Sequence, residues 1–132
     1  MMTQFRIGGG QVLAANDEME LLAGIESAID FCLAEGNVFA IFDWKSDYCQ
    51  IFLDPGGGLH AESTYGDLVA HAGFKERPAD WPWHSGTYLP PEWHARAKMV
   101  AEAMTRAFID GGKIRFPAEL EVQIARGGIR RS

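Results

Sequence analysis

The sequence predicts an α+β fold: an antiparallel meander sheet of three to five strands, with an N-terminal helix and a long C-terminal helix packed on one face. Three observations predict it. An apolar stripe at helical spacing runs from Asp17 to Glu35. Three short β-rich runs joined by turns fill Val38 to Tyr65. A second helical stripe follows Pro90-Pro91. Strands that cluster in sequence, with helices before and after them, give segregated layers rather than alternating βαβ units.

The first helix spans Asp17 to Glu35. Asn16 or Asp17 supplies the N-cap, Asp17 and Glu20 have capping-box spacing, and the acids of the first turn suit the helix dipole. Leu21, Leu22, Ile25, Ala28, Ile29, Cys32 and Leu33 form its apolar stripe, and Gly36 stops it in a left-handed conformation. Ahead of it, residues 5–13 alternate loosely around Gly8-Gly9-Gly10, which reads as a short edge strand with a glycine bulge or as a mobile lead-in.

Val38 to Trp44 is the first meander strand, rich in β-branched and aromatic residues. Lys45-Ser46-Asp47 turns the chain into a second strand, Tyr48 to Leu53. Asp54-Pro55-Gly56-Gly57-Gly58 turns it again, since proline fixes φ and glycine admits positive φ. The third strand, Leu59 to Tyr65, places Leu59, Ala61, Ser63 and Tyr65 on one face and His60, Glu62 and Thr64 on the other. Turns this short make the strands antiparallel. Asp67 to Gly73 reads as a short helix, and Phe74 to Leu89 as a long connection. Pro90-Pro91 opens a helix to about Asp110, with Trp93, Ala97, Val100, Ala101, Met104 and Phe108 as its stripe and Gly111-Gly112 as its stop. Leu120, Val122 and Ile124 alternate with Glu119, Glu121 and Gln123, the pattern of one last amphipathic strand.

The chain of 132 residues fits a single domain, with residues 1–12 and 126–132 as flexible ends. Its hydrophobic fraction of 47% is that of a globular protein. The net charge of −6 argues against nucleic acid as a partner, because phosphate binding needs a net basic face. The basic cluster Arg126, Arg130 and Arg131 reads as a charged, solubilising tail. Met1 to Arg6 does not read as a signal peptide, and no apolar run approaches the ~20 residues that span a bilayer. The expected compartment is the cytoplasm. Cys32 and Cys49, each in an apolar run, read as buried free thiols.

Candidate chemistry is sparse. His60 and Glu62 share one strand face and could touch a common ion, but His71, His84 and His94 lie in later elements, and no metal-ligand spacing is present. The expectation is no metal and no cofactor. Gly8-Gly9-Gly10 and Gly56-Gly57-Gly58 lack the strand–loop–helix setting of a phosphate cradle. Ser63, Ser85 and Cys49 lack any motif pairing them with a base. The richest segment is Trp81-Pro82-Trp83-His84. With Tyr88 and Trp93, its tryptophans are the candidate partner-binding residues, because rigid aromatics give large contact area at small entropic cost. The same aromatics would also serve as a lid over the core.

Gly58-Leu59-His60-Ala61-Glu62 ends the meander and leads into a short helix with Leu68. Ala72-Gly73-Phe74, Pro78 and a long amphipathic helix then follow. This order resembles the YbjN and type III secretion chaperone-like family, over residues 17 to 111. Ser63-Thr64-Tyr65 departs from the family's polar turn, and the loop from Trp81 to Tyr88 is busier. The resemblance implies a helix–sheet–helix α+β fold, dimerisation in many members and no enzyme activity. Members are chaperones or adaptors that hold a partner polypeptide, and related domains occur in bacterial secretion and toxin–immunity settings. The leading expectation is therefore a non-enzymatic protein-binding module, itself a candidate homodimer. Two alternatives are an acidic immunity or inhibitor protein for a toxin and a small metal-dependent enzyme using His60 and Glu62.

Overall fold

The computed structural model describes residues 4–36, 38–45, 47–53, 59–64, 75–76, 87–89 and 97–126. In chain order the elements are β1 (Gly8–Ala15), α1 (Glu18–Glu35), β2 (Val38–Trp44), β3 (Asp47–Leu53), β4 (Leu59–Ser63), β5 (Lys75–Glu76), β6 (Thr87–Leu89), α2 (Ala97–Arg106) and β7 (Ala118–Arg126). The class is α+β, as the patterning predicts. The sheet has seven strands in the order β1-β7-β2-β3-β4-β6-β5. Five of these strands fall within the expected three to five, and the connection 74–89 adds two very short ones, too brief to carry an alternation. Every pairing is antiparallel.

α1 is built as its caps dictate. Asp17 is extended and its Oδ1 accepts from the Glu20 amide at 2.9 Å. The Glu20 carboxylate reaches one residue further back than a capping box and accepts from the Asn16 amide at 2.8 Å. Gly36 ends the helix at φ 70°. α2 continues past Arg106 into a widened last turn, Ala107–Gly111, closed by the Gly112 amide donating to the Ala107 carbonyl at 3.0 Å. The expected opening of this helix at Pro90-Pro91 lies outside the described residues, as do the short helix 67–73 and the turn 54–58.

One core lies between the helices and one face of the sheet. Leu13 and Ala15 of β1, Val38, Ala40 and Phe42 of β2, Cys49 and Ile51 of β3, and Leu120, Val122 and Ile124 of β7 meet Leu21, Ile25, Ile29 and Cys32 of α1 and Val100, Met104 and Phe108 of α2. These strand residues recur at every second position, which is how a strand turns one row of side chains toward a single layer. α1 crosses β1 so closely that a Cβ on Gly24 would stand 2.9 Å from Leu13 Cγ and Cδ2, and only glycine fits there.

The place of β7 is the main topological finding. The last strand lies between the first two, pairing with β1 through Leu13↔Leu120 and with β2 through Phe42↔Val122. Residues 8–12, expected to be flexible, pair with β7 from Gly8↔Ile124 to Val12↔Glu121, with a bulge between Gly8 and Gln11. At the far end of β7, the Arg126 guanidinium pairs with Glu35 at 2.7 Å and donates to the Gly36 carbonyl at 3.5 Å. The expected solubilising tail therefore begins with a residue that ties sheet to helix.

Candidate functional site on the sheet face opposite the helices

The second face of the sheet has a different character. Its register can be read across the strands. Gln123 pairs with Ile41, Ile41 with Gln50, Gln50 with Glu62, Glu62 with Tyr88, and Tyr88 with Lys75. One neighbouring row is Ala125, Phe39, Phe52 and His60, and the other is Glu121, Asp43 and Tyr48. Phe39 and Ile41 form a small second cluster with Tyr48 and Ala125. The register sets His60 opposite Phe52 and Glu62 opposite Gln50. Ser63 is buried beside Cys49, whose Sγ donates to Ser63 Oγ at 3.6 Å, while His60 and Glu62 occupy register positions of the opposite face.

Gln50 is the outlier of this face. It is 0% exposed, and among the described residues neither its Oε1 nor its Nε2 has a hydrogen-bond partner. A buried amide without partners costs about 1–3 kcal/mol, so this side chain weakens the fold where it sits.

A groove of about 280 Å³ opens at the β1 end of the same face. Gly9 and Gly10 form one wall, and nothing lies within 4 Å of where a Cβ on Gly10 would stand. Asp43, Glu121 and Gln123 form the other wall. Asp43 and Glu121 are directly opposite each other in the β2–β7 register. The groove is thus acidic, and its glycine wall lets another backbone come close.

A second cleft, of about 520 Å³, lies where β1 leaves the sheet, lined by Trp44, Pro117 and small residues such as Ala14 and Ala118. Lys45 Nζ stands 5.2 Å from the Trp44 ring centroid. The indole Nε1–H is buried with no acceptor among the described residues, so the cleft does not offer it to solvent.

The sequence-expected site residues divide sharply. Trp81, Trp83 and Trp93 lie outside the described residues, as do His71, His84 and His94. Tyr88 is in β6, at the register position opposite Glu62. Among the described residues no group of three or more His, Cys, Asp and Glu side chains is placed to hold a metal ion. Gly8-Gly9-Gly10 sits inside a strand, away from any helix N-terminus. Both cysteines are free and buried. Burial pushes each thiol up to about 12, with Glu35 adding to the effect at Cys32 and Asp47 at Cys49. Neither is a nucleophile near neutral pH.

The groove residues were half legible in the sequence. The alternation of residues 119–124 puts Glu121 and Gln123 on a polar face, and the glycine run signals an irregular strand. Only long-range pairing brings those two features together with Asp43. Among the described residues no helix is long and apolar enough to cross a membrane. Compared with models of protein families, with curated protein sequences and with solved structures, the chain gives no significant match.

Proposed function

We propose that this chain is a protein-binding module of adaptor or chaperone type, which holds an extended, basic segment of a partner polypeptide along the groove beside β1. The observation that carries this reading is the pairing of Asp43 with Glu121 across from a wall of Gly9 and Gly10. A lysine or arginine reaching this wall would meet two carboxylates carried by neighbouring strands. The bare glycine wall admits a main chain, and extended peptides are held chiefly by main-chain contacts with side-chain pockets adding selectivity. The chain's net charge of −6 steers a basic partner toward it. The resemblance of residues 17 to 111 to the secretion chaperone-like family points the same way.

The test is an array of short immobilised peptides graded in lysine and arginine content. Basic extended peptides should bind, and more weakly as salt rises. The Asp43→Asn/Glu121→Gln variant should lose about tenfold in affinity, as expected for the loss of two partly exposed charge contacts. Binding that ignores peptide charge, or that survives in the double variant, overturns the reading.

A further inference from the structure

β1 is an edge strand, and its two halves treat that edge differently. The first half is tied up by its own neighbours. Gln11 Nε2 donates to the Arg6 and Gly8 carbonyls, each at 2.7 Å, and its Oε1 accepts from the Arg6 amide at 2.9 Å. The Arg6 guanidinium donates to the Gly9 carbonyl at 3.1 Å. With the bulge between Gly8 and Gln11, this is how natural sheets blunt an edge. From Val12 to Ala15 the strand is regular, and among the described residues none of these devices continues. The stretch Gly8–Ala15 contains no charged residue and no proline, and Val12 is 47% exposed.

We infer that this open stretch pairs with itself in a second copy of the chain, joining two seven-stranded sheets antiparallel across a two-fold axis at Leu13. Charge selects this occupant. In a chain of net charge −6, most approaches of one copy to another bring carboxylates together. Edge-to-edge pairing of β1 brings neutral strand to neutral strand. It leaves the Glu119 and Glu121 rows of the two β7 strands three strand spacings apart, about 14 Å, beyond the Debye length of ~8 Å at physiological salt. Register follows from parity. A two-fold normal to the sheet keeps each face continuous, so residues that oppose each other must share a face. Centring on Val12 would draw Gly9 and Gly10 out of the bulge. Centring on Leu13 uses the regular stretch and sets Val12 of each copy against Ala14 of the other, large against small, both exposed. So small an interface gives a weak, reversible dimer.

This inference uses the edge of β1 and does not depend on the groove carboxylates. The test is cross-linking by air oxidation of two single variants, Val12→Cys and Ala14→Cys, alone and mixed. Directly opposed Cβ atoms in an antiparallel pair lie within disulfide reach. The native thiols, buried and pushed up to about 12, stay silent. A covalent dimer in the mixture, with a 12–14 linkage by mass spectrometry and little from either variant alone, is the expected result. Equal cross-linking in all three samples, or none in any, overturns it. Sedimentation adds an arm without cysteine. The wild-type chain should dimerise as concentration rises toward about 1 mM, the range of a small interface, and Ala14→Lys should stay monomeric with an unchanged circular dichroism spectrum. A wild-type chain monomeric throughout overturns the inference even if peptides bind the groove, and Ala14→Lys should still bind those peptides.

Discussion

The two faces of this sheet are made from the same strands, yet they solve different problems. On the helix side, alternate residues of β1, β2, β3 and β7 are apolar and almost entirely buried, and the side chains of α1 and α2 close over them. On the other side, Phe39 and Ile41 are buried beside an amide with no partner, and the strands then run out into a groove walled by glycine and carboxylate. The first face is optimised for packing. The second keeps a buried amide with no hydrogen-bond partner among the described residues, beside a groove lined by two carboxylates.

That contrast can be broken most forcefully on the helix side. Phe42 is fully buried, and Phe42→Ala should cost about 3–5 kcal/mol, from lost transfer energy and the cavity left behind. A denaturation midpoint that moves by less than a third of that would show that the face is not the packed core described. The opposite face offers the reverse sign. Gln50→Met keeps the volume and removes the orphan amide, so it should stabilise the protein by about 1–2 kcal/mol in the same assay. Destabilisation would show that the amide is satisfied in solution. The smallest expected effect is at the helix–sheet contact. Gly24→Ala gains about 1 kcal/mol in helix propensity but forces a methyl against Leu13 Cγ, an overpacking cost of about 1–3 kcal/mol. The net should be a loss of about 1 kcal/mol, and a gain would mean that α1 can ride further from β1.

What was legible in the sequence follows the range of the forces involved. The ends of α1 were readable from Asp17, Glu20 and Gly36, because a cap is a contact between residues a few positions apart. The limits of β2 were readable for the same reason, since strand period is local. The apolar stripe of α2 was readable from Val100, Ala101, Met104 and Phe108, all of them buried. The seat of β7 between β1 and β2 was not readable. Its alternation says which of its faces is buried but not which strands lie beside it. The groove was lost for that reason, because Gly10, Asp43 and Glu121 meet only through that pairing. Nor could the orphan state of Gln50 be read, since the period-2 pattern marks it only as polar.

The seat of β7 also sets a timetable. A ribosome delivers β1 and β2 well before the strand that separates them, so neither can complete its pairing until Ala118–Arg126 has emerged. Until then β1 is unpaired and β2 has one open edge, and the sheet closes only by a contact spanning about a hundred residues, the kind of long-range step that slows folding. Any ribosomal stall or premature stop ahead of that segment would leave those edges free to pair with other chains, which makes the wait for Ala118–Arg126 a hazardous interval of translation for this protein.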